Sequence, residues 1–145
     1  MVELIVVITL IGILGTIGAA RLFSSDELKA RAFANALAQT LAAGQRMAVA
    51  QRRAVYAQLG TVPGSLRLCL DAACATPVAP APGDDNTLAA PAGMGLQSAS
   101  TAFNFDGLGR PSIATALTIT VLAADGSTLA MGVTLQPETG HVAPF

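Results

Sequence analysis

Cysteine, histidine and carboxylate side chains set the limits of the chemistry open to this 145-residue chain. Cys69 and Cys74, the only cysteines, bracket Leu-Asp-Ala-Ala at the end of a strand-like run. Two cysteines that flank a turn can reach the Cα separation of about 5.5 Å typical of a disulfide. A reduced pair is the alternative, and the compartment decides between them. With no histidine beside them, two sulfurs fall short of a tetrahedral metal site. His141 is the only histidine, and it reads as a surface residue at a strand end. A Ser-His-Asp set is allowed by the counts, but no Gly-x-Ser-x-Gly elbow is present to expose a nucleophile. Gly93-Met-Gly95 is too short for a dinucleotide loop. Gly83-Asp-Asp-Asn86 reads as an acidic turn ahead of a calcium loop. No catalytic site, metal or cofactor is expected, and hence no enzyme.

Nucleic-acid binding needs clustered cations, because phosphate contacts supply nearly all of the non-specific affinity. The net charge here is −1. From Arg21 to Leu59 six bases stand against two acids, and from Gly60 onward two bases stand against six acids. The first stretch therefore carries about +4 and the second about −4. Arg46, Arg52, Arg53 and Arg67 are the candidates for weak DNA contacts, should the fold gather them. Four arginines at most imply a weak, salt-sensitive interaction. Nucleic acid is not an expected partner.

The composition is 52% hydrophobic and 12% charged with mean hydropathy +0.58, against about 25% charged in ordinary soluble domains. The apolar excess sits at one end. From Leu4 to Ala20, 17 consecutive residues lack a charge, just enough for a membrane span of about 17–25 residues. A secretory signal would open on basic residues and close on a small-residue cleavage site. Met1-Val2-Glu3 instead carries an acid, and Arg21 leads into a helix-like stretch. A retained span is the expectation. Glu3 is costly at its edge unless it stays in the headgroup layer or meets a positive partner.

Phe23 to Arg53 is Ala-rich, with no Pro and one Gly. Phe33, Leu37, Leu41, Gly44 and Ala48 recur at helical spacing. Ser24-x-x-Glu27 fits a capping box that would open a separate helix. A single helix from Leu4 to Arg53 would instead be about 75 Å long. Beyond it the chain reads as β. Val55 to Leu59 and Leu66 to Leu70 are strand-like and joined by a turn-rich link. The Pro- and Gly-rich stretch Ala75 to Gly95 reads as a loop with little regular structure. Phe103 to Phe105, Leu117 to Leu122, Thr128 to Leu135 and His141-Val142 read as further strands, with Asp125-Gly126 as a hairpin turn. The expected architecture is α+β: a long helix packed on a small antiparallel sheet.

The run Val-Glu-Leu-Ile-Val-Val-Ile-Thr-Leu-Ile-Gly-Ile-Leu (Val2 to Leu14) resembles the N-terminal segment of type IV pilins and type II secretion pseudopilins. In that family a dedicated inner-membrane peptidase cuts after the Gly that ends a basic leader. The new N-terminus, Phe-Thr-Leu-Val-Glu, is methylated, and the Glu neutralises a neighbouring subunit's amine during assembly. Glu3 matches that glutamate, with Val2 before it and Leu4 after it. The leader and the Phe-Thr-Leu are not among these residues, so the peptidase step is implied for the native precursor only.

The resemblance implies a filament-core and transmembrane helix over 1–21, a stalk helix over 22–53 and a periplasmic head over 54–145. It implies a single-pass protein of the bacterial inner membrane that passes into a pilus or pseudopilus. Its partners would be other subunits, the inner-membrane assembly platform and, before assembly, lipid. A periplasmic head also favours an oxidised Cys69–Cys74 pair. Phe103-Asn-Phe-Asp-Gly-Leu-Gly-Arg-Pro111 and Val133-Thr-Leu-Gln-Pro-Glu-Thr-Gly-His-Val142 resemble segments of minor subunits of the GspH/FimT class. The cysteine pair, the Pro-rich loop and Phe105-Asp-Gly-Leu-Gly-Arg-Pro111 together are also similar to minor pilins of mannose-sensitive haemagglutinin (MSHA) pili. A structural subunit, minor in kind, is the function implied. A FimT-like minor pilin that binds DNA for uptake is the alternative.

Overall fold

The computed structural model describes residues 2–7, 11–12, 25–80 and 85–145. Residues 2–7 and 11–12 are helical. Helix α1 then spans Ser25–Gln51. Alanine recurs along it and favours the helix at little side-chain entropy cost. Asp26 and Glu27 occupy its first turn, where carboxylates offset the positive end of the helix dipole. They reach Lys29 at 2.9 Å and Arg31 at 3.8 Å. Both pairs are exposed and contribute less than about 1 kcal/mol each.

One face of α1 is apolar. Phe33, Leu37, Leu41, Gly44 and Ala48 are all buried, as their spacing predicts. At Gly44 the helix comes closest to the sheet: a Cβ there would meet Leu68 Cδ2 at 2.9 Å. The helix ends at Gln51, two residues short of the expected Arg53. Arg52 has φ 49°. Its N–H donates to Val49 O at 3.3 Å, and the Arg53 N–H donates to Ala48 O at 3.2 Å. That pattern is a Schellman cap with arginine at the left-handed position usually held by glycine.

The long-helix expectation is tested only in part. Ser24 and the expected junction with the N-terminal segment lie outside the described residues, as does most of the expected span from Leu4 to Ala20. Among the described residues no helix is long and apolar enough to cross a membrane.

The head holds two antiparallel sheets where the sequence suggested one. The first contains β1 (Val55–Gly60), β2 (Ser65–Cys69), β3 (Pro77–Val78), β4 (Thr87–Ala89) and β6 (Ala102–Phe105). β1 lies between β2 and β6, and the outer edge of β2 is shared by β3 and β4. The second has the order β5 (Gly95–Ser98), β7 (Leu117–Leu122), β8 (Thr128–Leu135) and β9 (Val142–Pro144). The sheets are joined at one corner, where Leu96 N–H donates to Thr61 O at 2.8 Å and Gly64 N–H to Met94 O at 3.1 Å.

Several strand expectations change. β3 and β4 lie inside the stretch expected to be an irregular loop. They form because β2 offers an open edge: Val78 sits opposite Leu68, and Leu88 opposite Leu66. β3 tolerates its proline as the first residue of an edge strand. β5 has a single large apolar residue, Leu96, and is a strand through its pairing with β7. β9 starts after His141 and runs through Pro144 on the outer edge.

The core forms where α1 meets the inner faces of both sheets. Leu37 and Leu41 are fully buried, as are Val55 and Phe105 of the first sheet and Ile119 and Val133 of the second. The alternating burial of β1 and β7 puts every second residue there. Phe103 and Phe105 stack edge to face with ring centroids 5.6 Å apart.

The arginine cap generates a test. A non-glycine residue in the left-handed region costs about 1–2 kcal/mol, of which glycine's extra chain entropy returns about 0.5–1 kcal/mol. Arg52→Gly should therefore raise unfolding stability by about 0.5–1 kcal/mol. A denaturant titration that shows a loss of stability would contradict the cap assignment.

Candidate assembly surface

Glu3 lies in the helical segment 2–7, which is exposed throughout. Val2, Leu4, Ile5, Val6 and Val7 surround it with apolar surface. Among the described residues Glu3 has no ion-pair partner.

Cys69 and Cys74 form a disulfide, with Cα atoms 5.1 Å apart. Sulfur is only one of the fastenings on this loop. The Asp71 carboxylate accepts the N–H groups of Ala75 and Thr76, each at 2.7 Å. Leu70 N–H donates to Thr76 O at 3.0 Å. Arg53 Nη2 donates to Leu70 O at 3.1 Å and Gln58 Nε2 to Ala72 O at 3.1 Å. Helix end, β1 and loop are thereby tied together. The N–H donors of Ala75 and Thr76 hold the Asp71 carboxyl below its ordinary value of 3.8.

The four arginines singled out for DNA contacts go to separate neighbourhoods. Arg46 lines a groove with Val142 and Pro144 of β9. Arg52 flanks Gly107 and Leu108. Arg53 binds the carbonyl of Leu70, and Arg67 Nε donates to Thr87 Oγ1 of β4 at 2.9 Å. His141 is exposed just ahead of β9. Among the described residues no group of three or more His, Cys, Asp or Glu side chains is placed to hold a metal ion.

One residue that carried no signal in the sequence organises the upper head. Gln45 of α1 donates from Nε2 to Gly109 O at 3.0 Å and to Thr139 O at 2.8 Å. It thus joins the two stretches, Phe103 to Pro111 and Val133 to Val142, that carried the resemblance in the head. The chain packs so closely there that Gly140, at φ 65°, has Gly109 O and the Gln45 amide where a Cβ would be.

The turn that follows β6, from Asp106 to Arg110, is fixed independently. Asp106 Oδ1 accepts the N–H groups of Leu108 at 2.9 Å and Arg110 at 2.8 Å. Asp106 N–H donates to Arg110 O at 2.9 Å. Leu108 is left pointing into solvent beside Val49 and Arg52, over a groove of about 550 Å³.

No protein-family model matches the sequence, and no curated protein is significantly similar to it. Solved structures are similar in fold. The type IV minor pilin FimU of Pseudomonas aeruginosa superposes with a TM-score of 0.63 at 17% identity, covering 83% of this chain and 90% of that one. The minor pseudopilin EpsH from the type 2 secretion system of Vibrio cholerae gives a TM-score of 0.62 at 14% identity, covering 81% of this chain and 96% of that one. The α+β arrangement of a helix packed on antiparallel sheets is therefore one that these two proteins share.

Two tests follow from the geometry. Gln45→Ala removes both clamping hydrogen bonds and should cost about 1–3 kcal/mol. Its backbone amides near 106–110 and 136–141 should exchange hydrogen faster; unchanged exchange would remove Gln45 from its role. Asp71 is a depressed carboxylate, so the order it gives the loop is complete above pH 3.8 and is lost as pH falls below that through the depressed value. Exchange at Ala75 and Thr76 should rise in that acid window alone, after correction for intrinsic rates. Protection that persists through it would contradict the assignment.

Proposed function

We propose that the chain is a structural subunit of a type IV pilus or a type II secretion pseudopilus, of the minor kind. The carrying observation is the fold itself, shared over most of the chain with a minor pilin and a minor pseudopilin. The exposed apolar helix around Glu3 supports the same reading. Residues 1–21 form the membrane and filament-core helix, 22–53 the stalk and 54–145 the periplasmic head. The native precursor is cut and N-methylated at the inner membrane, and the subunit waits in lipid until the assembly platform takes it up.

Glu3 acts in assembly. It meets the positive N-terminus of a neighbour, where the surrounding lipid or helix core makes an unpaired carboxylate costly. The Cys69–Cys74 bond suits an oxidising periplasm. The cysteine pair, the Pro-rich loop and Phe105 to Pro111 place an MSHA-like pilus among the candidate filaments.

DNA capture is the weaker reading. Of its four candidate arginines Arg46 is on α1, Arg52 and Arg53 follow its end and Arg67 is on β2, and Arg53 and Arg67 already donate within the head. Dispersed cations give few simultaneous phosphate contacts.

Glu3→Ala tests the subunit reading. The head should stay folded and the chain membrane-inserted, while recovery in filaments drops severely. Normal incorporation at native expression would sink it.

A further inference from the structure

The two sulfurs of the Cys69–Cys74 bond belong to residues in very different surroundings. Cys69 ends β2, opposite Tyr56 of β1 on one side and Pro77 of β3 on the other, and is fully buried. Cys74 lies in the loop beyond it and is partly exposed. Thiol–disulfide exchange depends on access to the sulfur as well as on thiolate character. The two cysteines are therefore not equivalent toward a thiol or disulfide in solution.

The path of the loop is held by bonds other than the one between the sulfurs. Beyond the Cys69–Pro77 pair, Leu70 N–H donates to Thr76 O at 3.0 Å. Cys74 N–H donates to Asp71 O at 3.1 Å, which closes a four-residue turn. The Asp71 carboxylate accepts the next two N–H groups, those of Ala75 and Thr76. Arg53 and Gln58 hold the carbonyls of Leu70 and Ala72. Cys74 sits at φ 55°, a conformation that costs a non-glycine residue about 1–2 kcal/mol. The frame that holds it there sets the two Cα atoms 5.1 Å apart, within the range a disulfide needs.

We propose that Cys74 is the exchanging sulfur of a preformed dithiol loop: a disulfide oxidant bonds to Cys74 first, and the buried Cys69 then closes the loop. The Cys74 thiolate attacks one sulfur of the oxidant, whose S–S bond breaks and releases one thiolate. Cys69 sulfur, its proton lost to solvent, attacks Cys74 Sγ, breaks the mixed disulfide and releases the second thiolate. Two cysteine thiols are oxidised, and the oxidant's disulfide becomes two thiols, which take their protons from solvent. Reduction retraces the path, with attack on Cys74 and Cys69 as the leaving group. Because the folded loop holds both cysteines in place, the closing step is intramolecular and fast. The proposal goes beyond the subunit reading and stands or falls without a filament.

The test uses the full chain in detergent, reduced and then exposed to oxidised glutathione. Samples quenched by alkylation and mapped by mass spectrometry should show glutathione on Cys74 before the closed loop accumulates. Cys69→Ser should keep that adduct on Cys74, whereas Cys74→Ser should take up glutathione on Cys69 many-fold more slowly. Unchanged hydrogen exchange in β7 and β8 checks the fold of each variant. Adducts that form first, or equally fast, on Cys69 would overturn the proposal. In the reduced wild-type chain the amides of Ala75 and Thr76 should keep most of their protection. Exchange there at the rate of an unfolded loop would show that the sulfur bond shapes the loop, and would overturn it as well. Asp71→Asn and Asp71→Ala lose the same charge, but the amide keeps one acceptor oxygen. Closure from the Cys74 adduct should slow several-fold in Asp71→Ala and less in Asp71→Asn. Equal closure rates in both variants and the wild type would contradict the preformed loop.

Discussion

The burial of a single helical face, running from Ala30 through Phe33, Leu37 and Leu41 to Ala48, is the interaction on which the other contacts of the head depend. Each sheet has an apolar inner face that needs a cover, and a helix in a protein draws most of its stability from packing its apolar face. The helix covers the inner residues of both sheets at once, with Leu68 packed into the gap left by Gly44. Helix and sheets are therefore one cooperative unit. The apolar side chains also fix which face of α1 remains outside, and with it the exposed positions of Leu28 and Val49.

The polar fastenings are secondary to that packing, and they act where packing runs out. Gln45 leaves the buried face of α1 just where two loops need an anchor. Arg53 and Gln58 do the same for the disulfide loop. Each donates to backbone carbonyls and so holds chain path without demanding a particular neighbouring side chain. The result is a set of exposed turns whose shapes are rigid although little of them is buried. Rigid exposed turns suit a protein whose work is docking, because less order has to be imposed on binding.

What was legible in the sequence follows from periodicity. The apolar face of α1 and the strands β1, β2, β6, β7 and β8 each carry enough alternating or helical pattern to identify their buried side. β3, β4 and β5 do not. They are held by the edges of strands distant in sequence, and their prolines, glycines and small residues read locally as loop. The helix end was misplaced because Arg52 adopts the conformation glycine usually supplies. The site was legible unevenly. Two cysteines five positions apart announce a short loop, and Asp106-Gly announces a turn. Nothing local marks Gln45 as the residue that joins positions 64 and 94 residues away.

The central claim is that this head rides on a filament-forming helix. Quantitative mass spectrometry of purified filaments, sheared from cells and separated from membrane, tests it most directly. The account predicts peptides of this chain within the filament fraction, at a fixed substoichiometric ratio to the main subunit across preparations. Recovery in the membrane fraction alone, with filaments assembled normally in its absence, would contradict it.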